Sequence, residues 1–384
     1  MNAAIVGVGA TTFSSESGRS ELALAVDALG AALADAGLDA ADVDGMVRYT
    51  YDSNGFPALI RALGVRGLRF FSEVPLGGSA TCGTIAHAAA AVDAGLASHV
   101  VCFRALNGRS GVRLGRAERH LRGGADEVVC AGEQMPGGVY SAPYGLLVPA
   151  QVMALWAQRY AWQHGIPLDR LARGLGTVAV TQRGYAQANP RATTYGDPLT
   201  LEDYLAGRMI ASPLRVFDLC RETDGAVAIV VSRADESRGG VRVLAAAQQL
   251  FPYTEALPAY APDVTATIPP WSTDDFFARA GITRDDVDVL GVYDATTLSV
   301  LFALEDFGFC GRGEAIDFVC DGGTTLAGRL PTNTSGGLLS EAHVHGLNIV
   351  MEAVQQLRGA STSQVAGAEV ALVHSRSASL VLGR

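Results

Sequence analysis

Two short stretches of this chain collect side chains that could move protons. In GVYDATTLSV, residues 291–300, Tyr293 and Asp294 follow the apolar run Val289–Val292 and stand where a helix is about to begin. In NTSGGLLSEAHVHG, residues 333–346, Gly336, Gly337 and Ser340 lead into His343 and His345. Phenol, carboxylate and imidazole are the groups of general acid–base catalysis. The carboxyl end of a strand in an open α/β sheet is also where ligands bind. A phenol at roughly pKa 10 can accept or return a proton if its neighbours lower that value, and an imidazole can donate to an oxyanion or relay the proton. Structural alternatives stand beside each of these roles. Tyr293 would be a buried aromatic whose hydroxyl caps the next helix, Asp294 an N-cap or anchor, and the two histidines parts of the loop's framework.

Several other chemistries are excluded. All 29 basic residues are arginine, so neither a Schiff base on an amine side chain nor an anchored pyridoxal phosphate is available. No His/Cys/carboxylate cluster has metal-ligand spacing, and GVGATTF and CDGGTTLAG lack the dinucleotide fingerprint. A net charge of −10 argues against nucleic acid as the main partner. No stretch approaches the roughly 20 apolar residues of a membrane span. The N-terminus has no basic region ahead of its apolar run, and the six cysteines are scattered, so reduced thiols in a cytoplasm are expected. His374 lies between two short apolar strands and reads as a core histidine. His87, His99, His120 and His164 have no partners at ligand spacing.

With 49% hydrophobic residues, the 384-residue chain can bury a large core. AAIVGVGATTF reads as a buried strand, SELALAVDALGAALADAGL as a helix and DVDGMVRYTY as a second strand, which makes a βαβ start. GTIAHAAAAVDAGLASHVVCFRA repeats the pattern. The helix–glycine–acidic loop–strand order of DALGAALADAGLDAADVDGMV recurs in TDDFFARAGITRDDVDVLGVYD, the sign of an internal duplication. The first half is expected over residues 1–240, with an inserted loop region at about 108–215, and the second over 241–384.

The segments AIVGVGATTF, ALADAGLDAADVDGMV, NPRA, ASPLRVFDLCRETDGAVAIVV, EDFGFCGRGEA and NTSGGLLSEAHVHG resemble the thiolase superfamily over nearly the whole chain. The resemblance is to the sterol-carrier/lipid-transfer thiolases and their non-thiolytic relatives that work with a DUF35 partner. It implies two duplicated βαβαβαββ halves in an αβαβα five-layer sandwich, an acyl-CoA substrate and no cofactor. It also implies a homodimer core, joined with a DUF35/OB-fold protein into a heterotetramer.

The chain departs from the thiolase pattern where the chemistry lies. VPLGGSATCGTIAHAAAAVDAGL, laid on the nucleophile helix, puts Gly78 or Ser79 at the cysteine position and Cys82 about one turn inside the helix. Tyr293 stands where thiolases keep an oxyanion-site histidine. The glycine-rich loop keeps Gly336, Gly337, Ser340, His343 and Gly346.

Relatives with the same loss are aldolases that cleave a sterol-derived β-hydroxyacyl-CoA by retro-aldol reaction, in the steroid case to propionyl-CoA and a 17-ketosteroid. The resemblance therefore implies a carbon–carbon lyase, with Tyr293, His343, Asp294 and His345 as catalytic candidates and Ser79, Gly336, Gly337 and Ser340 around the substrate. A steroid, a bile acid or a smaller branched acyl chain would all fit. Two alternatives remain: a degenerate thiolase or acyltransferase using Cys82 or another group, and a silent acyl-CoA- or lipid-binding subunit. The apolar segments LFPYTEALPAY and IPPWSTDDFF are candidate partner surfaces.

Overall fold

The computed structural model describes residues 1–75, 77–111, 113, 142–234, 240–249, 263 and 265–384. The whole segment LFPYTEALPAY, and residues 112 and 114–141 of the expected insertion, lie outside them. The first half runs β1 (Ala3–Ala10), α1 (Glu21–Ala36), β2 (Gly45–Tyr49), α2 (Phe56–Leu63), β3 (Phe70–Val74), α3 (Thr81–Asp93) and β4 (His99–Asn107). Helices α4 (Pro149–Gln163), α5 (Leu168–Ala188) and α6 (Leu201–Ala206) follow, then a small hairpin of β5 (Met209–Ala211) and β6 (Leu214–Arg215). Strand β7 (Asp224–Arg233) returns to the sheet.

The second half consists of β8 (Val241–Gln248), α7 (Pro270–Ala280), β9 (Val289–Val292), α8 (Thr297–Asp306), α9 (Ala315–Cys320), α10 (Gly337–Ser340), α11 (Leu347–Arg358), β10 (Val370–His374) and β11 (Ala378–Gly383). The first half follows the βαβαβαββ order. In the second, the strand beyond β9 is reduced to a single parallel bridge between Leu290 and Thr332.

The strands form one ladder in the order β3-β2-β4-β7-β1-β8-β11-β10-β9. The halves join where Ala4 and Ile5 of β1 pair antiparallel with Arg242 and Val241 of β8. Alternation along the strands produces the layers, because successive side chains face opposite ways. Val100 and Cys102 of β4 pack with α3 and α11 in a central layer that also takes Leu380 and Leu382 of β11. Val101 and Phe103 face the outer helices α1 and α2, whereas Leu372 and Val381 face α5 and α8 on the far side. Five layers result, with α3 and α11 buried between the halves.

The duplication is visible in backbone detail. Helix α1 ends at Gly37 (φ 65°) and α7 at Gly281 (φ 72°), both left-handed positions that glycine adopts without a Cβ penalty. A short 3-10 turn then leads each chain into its strand, β2 or β9. Among the described residues, no helix is long and apolar enough to cross a membrane.

Candidate active site

Strand β9 ends at Val292, and the side chain of Asn333 fixes that end. Its Oδ1 accepts from the Val292 amide (2.8 Å) and its Nδ2 donates to the Val292 carbonyl (3.0 Å). The Tyr293 amide then donates to the carbonyl of His374 (2.8 Å), so the phenol leaves the sheet from a rigid edge. Two glycines make room for the ring. A Cβ on Gly78 would lie 2.2 Å from Cε2, Cζ and Oη of Tyr293, and one on Gly346 would lie 2.8 Å from Cδ2. Of the two positions read as standing in for the thiolase cysteine, Gly78 is thus the one in contact with the phenol. Tyr293 occupies the space in which a side chain at position 78 would begin.

The phenolic oxygen stands 3.3 Å from His343 Nε2, and the His343 and His345 rings meet edge to face at a centroid distance of 5.2 Å. The structure therefore brings together three of the sequence candidates. Burial pushes the His343 pKa down to about 4, with the Arg104 guanidinium acting in the same direction. Burial, Arg104 and His343 hold His345 well below the usual imidazole range.

For Tyr293 the sequence reading required a lowered pKa, and the structure reverses that requirement. Burial raises the phenol well above its ordinary value, with Cys220, Tyr49 and Asp294 adding to the effect against Arg104. The resting site is a neutral phenol beside neutral imidazoles. Of the pair, the phenol is the group that holds a proton and the imidazole the one with a free lone pair.

Other candidates sit elsewhere. The Asp294 carboxylate faces the start of α10, with Oδ1 accepting from the Leu338 amide (2.9 Å) and Oδ2 from Leu339 (3.4 Å). Burial raises its pKa to about 8. A Cβ on Gly337 would lie 2.4 Å from Oδ2, so Gly337 is required for the carboxylate to reach those amides. Asp294 and Gly337 therefore anchor the loop rather than line the phenol.

Gly336 closes the turn through its amide to the Asn333 carbonyl (2.9 Å). Ser340 is buried, and its hydroxyl accepts from Arg183 Nε of α5 (3.1 Å). Ser79 lies beside Gly78, and its carbonyl accepts from the amide (2.9 Å) and hydroxyl (2.7 Å) of Ser377.

Cys82 is the second residue of α3, not a turn inside it. Burial disables it: its thiol donates to the Val373 carbonyl (3.5 Å), and its pKa is pushed up to about 12. Such a thiol is not a nucleophile. His374 is a core residue as expected, bonded to Ser379 Oγ (3.0 Å), with its pKa lowered to about 3 by burial.

Sequence reasoning missed Arg104. It lies buried in β4, with Nη1 donating to Asp52 Oδ2 (2.9 Å) and Nε to His345 Nδ1 (2.9 Å). The available signal was one charge inside the apolar strand HVVCFRALN. The NPRA motif also finds its place. Asn189 Nδ2 (2.9 Å) and Arg191 Nη2 (3.2 Å) donate to Glu341 Oε1, whereas Ser335 Oγ (2.8 Å) and Asn348 Nδ2 (3.0 Å) donate to Oε2. This buried carboxylate ties the loop carrying His343 to the end of α5.

Residues 255–381 match the family described as thiolase C-terminal domain-like. Over 377 residues the chain is 45% identical to the 17-hydroxy-3-oxo-4-pregnene-20-carboxyl-CoA lyase of Mycobacterium tuberculosis, covering 97% of this chain and 95% of that protein. The chain belongs to the thiolase superfamily, in the branch of the steroid side-chain-cleaving aldolases. A second member of that branch, the steroid side-chain-cleaving aldolase of Thermomonospora curvata, is 42% identical over 94% of this chain and 92% of its own length. The solved Ltp2-ChsH2(DUF35) aldolase superposes with a TM-score of 0.89 at 40% identity, covering all of this chain and 97% of that one.

Proposed function

We propose that this chain is a retro-aldolase acting on a β-hydroxyacyl-CoA, with a 17-hydroxy steroid carrying a three-carbon CoA-ester side chain as the substrate class. The observation that carries the reading is the contact of Gly78 with Tyr293. Where a thiolase would start its nucleophile, this cleft holds a neutral phenol 3.3 Å from an unprotonated imidazole.

The chemistry follows from those two groups. Tyr293 accepts the proton of the 17-hydroxyl while passing its own to His343 Nε2. The C17–C20 bond breaks, C17 becomes a ketone, and the electron pair enters the thioester carbonyl as an enolate. The proton held by the pair returns to C20, which releases propionyl-CoA. A thioester is a sufficient electron sink, so the absence of lysine removes nothing the reaction needs. General acid–base catalysis of this kind contributes about 10²–10⁴-fold.

The Cys82 reading loses its support, because that thiol is buried and bonded to a carbonyl. A DUF35 protein is the proposed partner, supported by the likeness to the Ltp2-ChsH2(DUF35) aldolase. A symmetric dimer through the edge of β3, where Phe71 is exposed, is the proposed core of the assembly, and the proposed location is the cytoplasm.

The test is product analysis after incubation of the chain, with and without a DUF35 protein, with a 17-hydroxy-steroid CoA ester. Equimolar 17-ketosteroid and propionyl-CoA are expected. An unchanged substrate in both arms would favour a silent binding subunit, and a thiolytic product would overturn the reading.

A further inference from the structure

Arg104 and Asp52 form an ion pair enclosed in the first half. The Asp52 carboxylate is inaccessible to solvent. Its Oδ2 also accepts from the Ala105 amide (3.0 Å), and its Oδ1 accepts from the Asn54 amide (2.9 Å) and Nδ2 (2.8 Å). Arg104 Nη1 donates as well to the Ala105 carbonyl (2.8 Å). Burial of such a pair is costly unless it is well hydrogen-bonded, and these contacts satisfy both carboxylate oxygens of Asp52. The contact from Nε to His345 is additional.

That contact fixes a proton. A guanidinium has donors and no acceptor, so His345 Nδ1, 2.9 Å from Arg104 Nε, must present its lone pair. The hydrogen of the neutral ring is then on Nε2. A protonated His345 would set two donors against each other.

The backbone points the same way. His345 has φ 47°, a left-handed position where glycine or asparagine would be less strained. Its carbonyl is held by Tyr49 Oη (3.3 Å) and Thr81 Oγ1. Strain maintained by several partners beside reacting groups is the pattern of a functional residue.

We infer that the Asp52–Arg104 pair locks His345 into the tautomer whose Nε2–H donates to the enolate oxygen during carbon–carbon cleavage. Asp52 and Arg104 are positioning residues, and His345 is the group that touches the developing charge. This inference rests on the retro-aldol reading. A fixed donor aimed at a developing oxyanion contributes about 10²–10³-fold.

The decisive experiment labels the histidines of the full chain with ¹⁵N and reads the tautomer of His345 by long-range ¹H–¹⁵N correlation, assigned with His345→Asn. The expected spectrum has protonated Nε2 and unprotonated Nδ1. Arg104→Gln is expected to lose that signature and to lower kcat about a hundredfold, with KM changed only a few-fold. Arg104→Lys, which keeps the charge but not the fork, is expected not to restore either. Should Arg104→Gln fail to fold, the wild-type spectrum and the kcat of His345→Asn still decide. An Nδ1–H signature in the wild type, or full kcat in His345→Asn, would overturn the inference and leave the retro-aldol reading intact. A wild-type chain with the Nε2–H signature and no aldol cleavage, partner present, would overturn both.

Discussion

Replacement of Gly78 by alanine adds one methyl group at the point where the thiolase cleft was rebuilt. The new Cβ would lie 2.2 Å from the phenolic end of Tyr293, whereas carbon atoms in contact stand about 3.5 Å apart or more, so the ring must retreat by about 1.3 Å. A retreat of that size takes the hydroxyl away from its present 3.3 Å separation from His343 or displaces both groups. A misplacement of about 1 Å near reacting atoms costs on the order of 10²-fold in rate, and overpacking costs about 1–3 kcal/mol of stability.

Gly78→Ala is therefore expected to fold with a modestly lower Tm and to lose about a hundredfold in kcat. Turnover is measured as 17-ketosteroid formed from the hydroxylated CoA ester, and stability by thermal unfolding. A double-mutant cycle with Tyr293→Phe identifies the cause. If the phenol is what the methyl displaces, Gly78→Ala lowers kcat little further once the hydroxyl is gone. Full activity in Gly78→Ala, or an equal loss in the Tyr293→Phe background, would refute the reasoning.

The other expectations are simpler. Tyr293→Phe and His343→Ala should each lower kcat by about 10²–10⁴-fold with the fold intact by circular dichroism. Cys82→Ala should leave turnover within a few-fold of wild type, since its buried thiol only donates to the Val373 carbonyl. His343, which faces Tyr293, His345, Arg104 and Glu222, must be unprotonated to accept. Its pKa of about 4 therefore predicts a kcat/KM that is flat from neutrality to about pH 5 and falls near pH 4. An acid limb near 6.5 would contradict this. Burial raises the Glu352 pKa to about 7, and nearby Glu341 adds to the effect. The folded state thus binds an extra proton between the unfolded value and 7, and stability is lost as pH rises through that window. Glu352→Gln should remove that loss, gaining over wild type by at most about 3 kcal/mol between pH 5 and 8 in denaturant titrations.

How much of this was legible in the sequence depended on how local each cause is. The duplicated helix–glycine–strand units were readable because Gly37 and Gly281 act on their own turns. Tyr293 and His343 were readable from a strand end and a glycine-rich loop. Asp294 was harder to place: its neighbour faces the cleft, while its own carboxylate meets amides of a helix more than forty residues on. Ser340 shares a motif with His343 but is claimed by Arg183. The reversed pKa of Tyr293 comes from the enclosure of a half-buried ring by residues distant in sequence, among them Tyr49 and Cys220, which no local pattern encodes. Arg104 read only as a break in an apolar strand, because Asp52 and His345 reach it from distant turns.

The central claim is that cleavage proceeds without any covalent bond to the protein, and intact-protein mass spectrometry of acid-quenched turnover mixtures tests it most directly. The account predicts an unchanged protein mass throughout, while ketone and propionyl-CoA accumulate in equal amounts. An acyl adduct on any cysteine, formed and discharged at the rate of turnover, would contradict it.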